Sequence, residues 1–324
     1  MVSTTDSIPT AATGEPRMPR LLGLGLAAAA FFSITFVLNR AMSLQGGHWV
    51  WSASLRYLDM AILLSAFLLI RRGPGYLAEV LRLFRRRLKF WLVAGSIGFG
   101  VFYAACCFAA DHAPGWIIAA TWQVTILATP FVLRAFGERV PLRGIVFLVV
   151  IFAGIVVLNL NQILHGAAPH EIVAGVLPML VAAVAYPTGN QLLNRAKHAG
   201  GADGALLADP VAAVLLLTLG SLPFFAVLVG VTMPPPPSAG QIASTAVIAL
   251  VAGGLATTLF LYARNLSRDP YRIAAVDATQ SGEVSFALLG EMLWLGAPAP
   301  NLLGWIGLVA VMGGLVGFAL KSRG

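Results

Sequence analysis

Long unbroken apolar runs decide what this chain can fold into. Ten of them lie at 21–44, 51–70, 90–110, 116–136, 142–162, 172–193, 209–231, 241–263, 272–296 and 302–320. Each is near the length that crosses about 30 Å of hydrocarbon at roughly 1.5 Å per residue. Of the 324 residues, 58% are hydrophobic and only 10% are charged. A soluble domain carries about 25% charged residues, so this chain cannot cover a water-soluble surface. That excludes a soluble enzyme, a disordered chain and a disulfide scaffold. The runs do not alternate polar with apolar, which argues against an outer-membrane barrel. The expected fold is therefore an all-α membrane protein with ten transmembrane helices. Residues 1–19, rich in Ser, Thr, Pro and Gly, are expected to form a disordered tail.

The basic residues set the orientation. With the N-terminus in the cytoplasm and the spans alternating, 19 of the 21 Lys and Arg fall on the inner side. Seven stand between Arg71 and Lys89 alone; only Arg40 and Arg56 fall at or near the outer face. Such a bias places both termini inside and the chain in the cytoplasmic (inner) membrane as a multi-pass protein. The net charge of +8 thus reports topology, and no nucleic-acid partner is expected. The stretch from Gly75 to Lys89 is basic and amphipathic and is expected to lie on the lipid surface of the bilayer. Cys106 and Cys107 are adjacent and point apart on a helix, so no mutual disulfide is expected.

The chain echoes itself. Phe136-Gly137-Glu138 precedes Gly144 and Gly154, and Leu289-Gly290-Glu291 precedes Gly304 and Gly314, with glycines ten apart in both copies. Asn39-Arg40 and Asn194-Arg195 close a second echo at nearly the same offset of about 153 to 155 residues. The reading is two five-helix repeats, 20–162 and 172–320, which insert with opposite orientation because five is odd. Inverted repeats are an architecture of secondary transporters, with the substrate site at mid-membrane between the halves. On these residues the chain resembles the drug/metabolite transporter superfamily, EamA-like ten-helix branch. The run Phe31 to Arg40, the stretch Gly46 to Tyr57 and Tyr186-Pro187-Thr188-Gly189-Asn190-Gln191 resemble members of the multidrug resistance efflux transporter family. The resemblance implies export of small metabolites or drugs, often by exchange for protons.

Charge inside hydrocarbon marks function by default. Glu283 falls in the middle of the ninth segment, with Gln280 one turn before it. Desolvation opposes the charge of a carboxylate there. Holding either a proton or a cationic substrate, but never both, would couple the two flows. The bland reading is a structural pair, for instance with Arg56. Arg56 in turn stands three residues from Asp59 on one face. It either pairs with Asp59, or meets Glu283 or a substrate carboxylate; the choice between cationic and anionic cargo turns on whether Asp59 neutralises it. Trp51, like His48 and Trp49, sits at a span edge and reads as an interfacial anchor or as an aromatic wall for a flat cation. Trp122 beside Gln123, with Tyr103, Tyr186 and Asn190, lie deeper and are expected to line a substrate cavity, as is Asn39. Pro187 after Tyr186 reads as a break in the sixth helix. Glu138 and Glu291 read as structural caps or pairs at the turn into the next span, and Asp277 as a partner of Arg272 or Arg264.

No metal-ligand spacing occurs among the five histidines, and no Gly-x-x-x-x-Gly-Lys loop occurs. No cofactor, metal or ATP is therefore expected, and no enzyme. Partners are a small-molecule substrate, protons and the bilayer, for a monomer or homodimer. The leading expectation is proton-coupled efflux of cationic or drug-like compounds. Export of amino acids or related metabolites through Arg56 is the alternative, and a lipid flippase is a third reading.

Overall fold

The computed structural model describes residues 17–138, 145–164, 168–198, 203–267 and 269–321. The tail up to residue 16, Gly144 and four of the basic topology residues (Arg139, Arg143, Arg268 and Arg323) lie outside them. All regular secondary structure among the described residues is helical, without strands.

The helices are α1 (Met18–Leu44), α2 (Trp49–Arg72), α3 (Pro74–Arg86), α4 (Leu88–Gly95), α5 (Phe102–His112), α6 (Gly115–Trp122), α7 (Val124–Ala135) and α8 (Ile145–Leu164). They continue as α9 (Pro169–His198), α10 (Gly204–Ala208), α11 (Pro210–Thr232), α12 (Ala239–Ile248), α13 (Thr257–Asn265), α14 (Pro270–Ala278), α15 (Gly282–Trp294) and α16 (Leu302–Lys321). α1 begins at Met18, inside the expected tail. Two π-helical stretches, Ser96–Val101 and Ala249–Ala256, join α4 to α5 and α12 to α13. Among the described residues, eight helical stretches are long and apolar enough to cross a membrane. The other two expected spans differ. The apolar part of α8 is the shorter stretch Val146–Gln162. The ninth is divided by a 3₁₀ turn at Thr279–Ser281 into α14 and α15. Ile70, Val231 and Leu293 are among many large apolar side chains left exposed, which lipid rather than water suits.

Close backbone approach explains several glycines. A Cβ on Gly98 would sit 2.8 Å from the Gly189 Cα, so the first π-helical stretch lies directly against α9. α8 and α16 meet in the same way: a Cβ on Gly154 would come within 2.9 Å of the Gly307 carbonyl and the Val311 nitrogen, and one on Gly314 within 3.1 Å of the Ile151 nitrogen. Only small residues let two helices approach so closely in a membrane.

α3 departs from its expected place on the lipid surface. Val80 and Leu83 are fully buried, in one core cluster with Leu68, Trp91, Leu207 and Leu215. The Tyr76 hydroxyl donates to Asp209 at 3.0 Å; Arg86 and Arg87 pair with Asp203. Burial, helped by the neighbouring Asp209 carboxylate, pushes the Tyr76 hydroxyl above the ordinary tyrosine value. The apolar stripe thus packs on protein, because α10 and the start of α11 fold back over it.

Candidate functional site

Tyr103 organises the interior. It stands on α5 and is buried. Its hydroxyl and the Asn39 amide of α1 exchange hydrogen bonds of 3.1 and 3.2 Å. The guanidinium carbon of Arg56, from α2, lies 4.0 Å from the Tyr103 ring centroid and 5.6 Å from that of Tyr57. This is cation–π contact distance. Next to Tyr103, Phe102 packs on Trp122 and Tyr186 with both centroids at 4.9 Å, and Trp122 meets Tyr186 edge-on at 5.5 Å. Five of the residues singled out in the sequence therefore form one connected group: Asn39, Arg56, Tyr103, Trp122 and Tyr186. Phe102 and Tyr57 complete it. Neither stands out in the sequence, since one more aromatic in an apolar run gives no signal; adjacency to Tyr103 and Arg56 is the only clue.

Arg56 does not pair with Asp59, nor with Glu283. Its Nε is buried with no hydrogen-bond partner among the described residues, and so is Oδ2 of Asp59. Asp59 faces Thr245 on α12 instead. The helix-internal ion pair is thus corrected: three residues apart on a helix permits contact, but Arg56 turns onto Tyr103 and Asp59 turns toward the neighbouring helix.

A second polar region lies where two helices break. Gln123 occupies the turn between α6 and α7, and Gln280 the 3₁₀ turn between α14 and α15. Both line a cavity of about 220 Å³ with Asp277, Ser281, Ile126 and Phe318. Gln123 donates to its own helix at the Ala119 carbonyl, 3.3 Å away, whereas Nε2 of Gln280 is buried without a partner among the described residues. Asp277 pairs with Arg264 at 2.8 Å. Glu283 follows in the first turn of α15, 9% exposed, with no ion pair among the described residues. Broken helices facing a polar cavity are where transporters place ion and substrate sites.

The remaining expected site residues fall elsewhere. Trp51 donates through Nε1 to the Pro235 carbonyl at 2.8 Å, which ties the start of α2 to the proline-rich loop after α11. Asn190 is half-buried on α9 one turn past Tyr186, outside the ring contacts. Pro187 does not break α9, which is continuous across it. It lacks the N–H that would bond Ala183, and the orphaned Ala183 carbonyl accepts instead from Thr125 Oγ1 of α7 at 3.2 Å.

Glu138 and Glu291 are not equivalent. Glu138 is exposed just past α7, whereas Glu291 is 2% exposed inside α15.

Apolar helices with an exposed apolar surface and a buried charged and aromatic interior define a multi-pass membrane protein. The chain belongs to the family described as "EmrE: Putative multidrug resistance efflux transporter", whose model it matches over residues 19–323. It is similar to the uncharacterised protein YjlA of Bacillus subtilis (strain 168), at 37% identity over 93% of this chain and 94% of the relative. It is also similar to an uncharacterised 42.1 kDa protein of Shouchella clausii, at 36% identity over 80% of this chain and 69% of that one. A solved crystal structure shares the fold with a TM-score of 0.57 at 18% identity, over 92% of this chain and 96% of its own.

Proposed function

We propose that this protein is a secondary active transporter that exports small organic molecules across the cytoplasmic membrane in exchange for protons. The observation that carries the coupling is Glu283: a buried carboxylate beside a helix break, with no ion-pair partner among the described residues. A carboxylate so placed binds a proton or a cation in turn. The family supports efflux, and cationic or drug-like cargo is the reading that Glu283 favours. Amino acids or related metabolites are the second reading, favoured by Arg56, which Asp59 leaves unneutralised.

The proposed framework is ten spans in two inverted halves. The π-helical stretches begin at Ser96 and Ala249, at the same 153-residue offset that separates Glu138 from Glu291. Spans four and nine both carry a break, at Gln123 and at Thr279–Ser281. The glycine contact between α8 and α16, the last helices of the two halves, supports the same reading. The Gly-Glu echo does not, because Gly290 lies within α15 whereas Gly137 ends its helix at φ 85°.

The test is purified protein in liposomes with an imposed pH gradient. Proton release is followed as a panel of lipophilic cations and free amino acids is added. Release that depends on cargo and vanishes in Glu283→Gln is the expected result. Release that survives in the variant, with the variant folded, removes Glu283 from the coupling role.

A further inference from the structure

We propose that Arg56 is an anion-binding subsite: the cargo carries a carboxylate held by its guanidinium fork, joined to an apolar body packed against the Phe102–Trp122–Tyr186 rings. This rests on the reading of the chain as a small-molecule exporter; it takes the second reading of the cargo, the carboxylate-bearing one that Arg56 favours, over the cationic one, and adds the surface that its apolar body meets.

A guanidinium stays protonated in proteins and presents five donors with no acceptor. Its charge therefore has to be met. Among the described residues Arg56 has neither an ion pair nor an acceptor for Nε. Neither Asp59 nor Glu283 forms an ion pair with it among the described residues, and other carboxylates are held elsewhere. Asp203 and Asp209 hold Arg86, Arg87 and Arg72, and Asp277 holds Arg264. Glu291 accepts from the Gly115 amide at 2.6 Å. The titratable groups that face Arg56 are Tyr103, Tyr57, Cys107 and Cys106, all uncharged at neutral pH in their ordinary range. The Tyr103 ring, 4.0 Å away, satisfies one face of the guanidinium by cation–π attraction and leaves Nε at its edge without an acceptor among the described residues.

An unmatched charge inside a membrane domain is costly to keep, and such residues mark substrate pathways. Two parallel hydrogen bonds to a carboxylate match this fork in both charge and shape. One arginine suits a monoanion better than a phosphate dianion. The other basic residue beside this region, Arg40, already donates to the Ala110 and Asp111 carbonyls at 2.8 and 3.3 Å. The rings that continue from Tyr103 through Phe102 to Trp122 and Tyr186, tilted on one another by 43–76°, form an apolar aromatic cluster next to the fork.

The experiment is titration calorimetry on the purified full chain in detergent with three matched probes: 3-phenylpropionate, its methyl ester and 3-phenylpropylamine. The acid is expected to bind about tenfold or more tighter than the other two. Arg56→Gln is expected to level the three, and Arg56→Lys, which keeps the charge without the fork, to fall between. Equal binding of acid, ester and amine by the unaltered chain overturns the proposal, as does no binding of the acid or a preference that survives Arg56→Gln. The comparison on the unaltered chain needs no variant, so it decides even where Arg56→Gln fails to fold. Glu283→Gln is expected to keep the preference for the acid. An acid preference without cargo-driven proton movement would sink the exporter reading and leave the subsite standing.

Discussion

The Glu291 carboxylate on α15 accepts a hydrogen bond from the backbone N–H of Gly115, the first residue of α6, 176 residues earlier in the chain. The start of a helix leaves its first N–H groups without partners and carries partial positive charge, so a carboxylate there is a cap. Being 2% exposed, this cap is sheltered from solvent. Glu291→Ala is expected to cost about 1–3 kcal/mol, read as a lower unfolding midpoint in detergent. Gly115→Ala should behave alike, since its Cβ would lie 2.6 Å from the Phe36 carbonyl oxygen and 2.9 Å from Glu291 Oε1. An unchanged midpoint in both variants would show the cap to be idle.

The contact between α8 and α16 gives a second expectation. A methyl group on Gly154 would meet backbone atoms of the facing helix at 2.9 Å, and backbone cannot turn aside as a side chain can. Gly154→Ala should destabilise by about 1–3 kcal/mol, the usual cost of overpacking. Gly313→Ala, whose Cβ would meet nothing within 4 Å, should leave thermal stability almost unchanged. Equal effects of the two substitutions would count against the close contact.

Asp209 caps α11 through Val211 and Ala212, at 2.9 and 3.4 Å, and holds Tyr76 of α3 at 3.0 Å. Asp209→Ala is expected to lose about 1–2 kcal/mol from the cap and to loosen α3. Limited proteolysis between Gly73 and Lys89 should then run several-fold faster than in the unaltered protein. Tyr76→Phe should reproduce only the faster proteolysis.

Glu283 gives the pH expectation. A site that alternates between proton and cargo makes transport depend on pH, because protons compete for the same group. Cargo-evoked flux should follow the pH on the cytoplasmic side in the unaltered protein and become flat with pH in Glu283→Gln. A pH dependence that persists unchanged would assign the titration to another group.

Periodicity and composition alone placed the helices well. The expected run 51–70 lies within α2, 209–231 falls on α11 and 302–320 within α16, because an apolar stretch of that length has few alternatives in a bilayer. The same rule is blind to interruptions: the 3₁₀ turn before Glu283 and the π-helical stretch before Tyr103 leave hydropathy unchanged. It also cannot say where an amphipathic helix rests. α3 reads as lipid-seeking until Asp203 and Asp209 come back to hold its polar groups.

The sequence by itself determined the class of the protein, the approximate spans and which residue types were worth suspecting, since each follows from transfer energies summed along the chain. Only the tertiary structure decided which of those residues meet. Asn39, Arg56, Tyr103, Trp122 and Tyr186 come from five helices and converge, while Trp51 is drawn off to Pro235. Spacing of three along a helix allowed Arg56 and Asp59 to pair. The competing neighbours, a tyrosine ring for one and Thr245 for the other, come from other helices, and which groups meet is settled by packing in three dimensions.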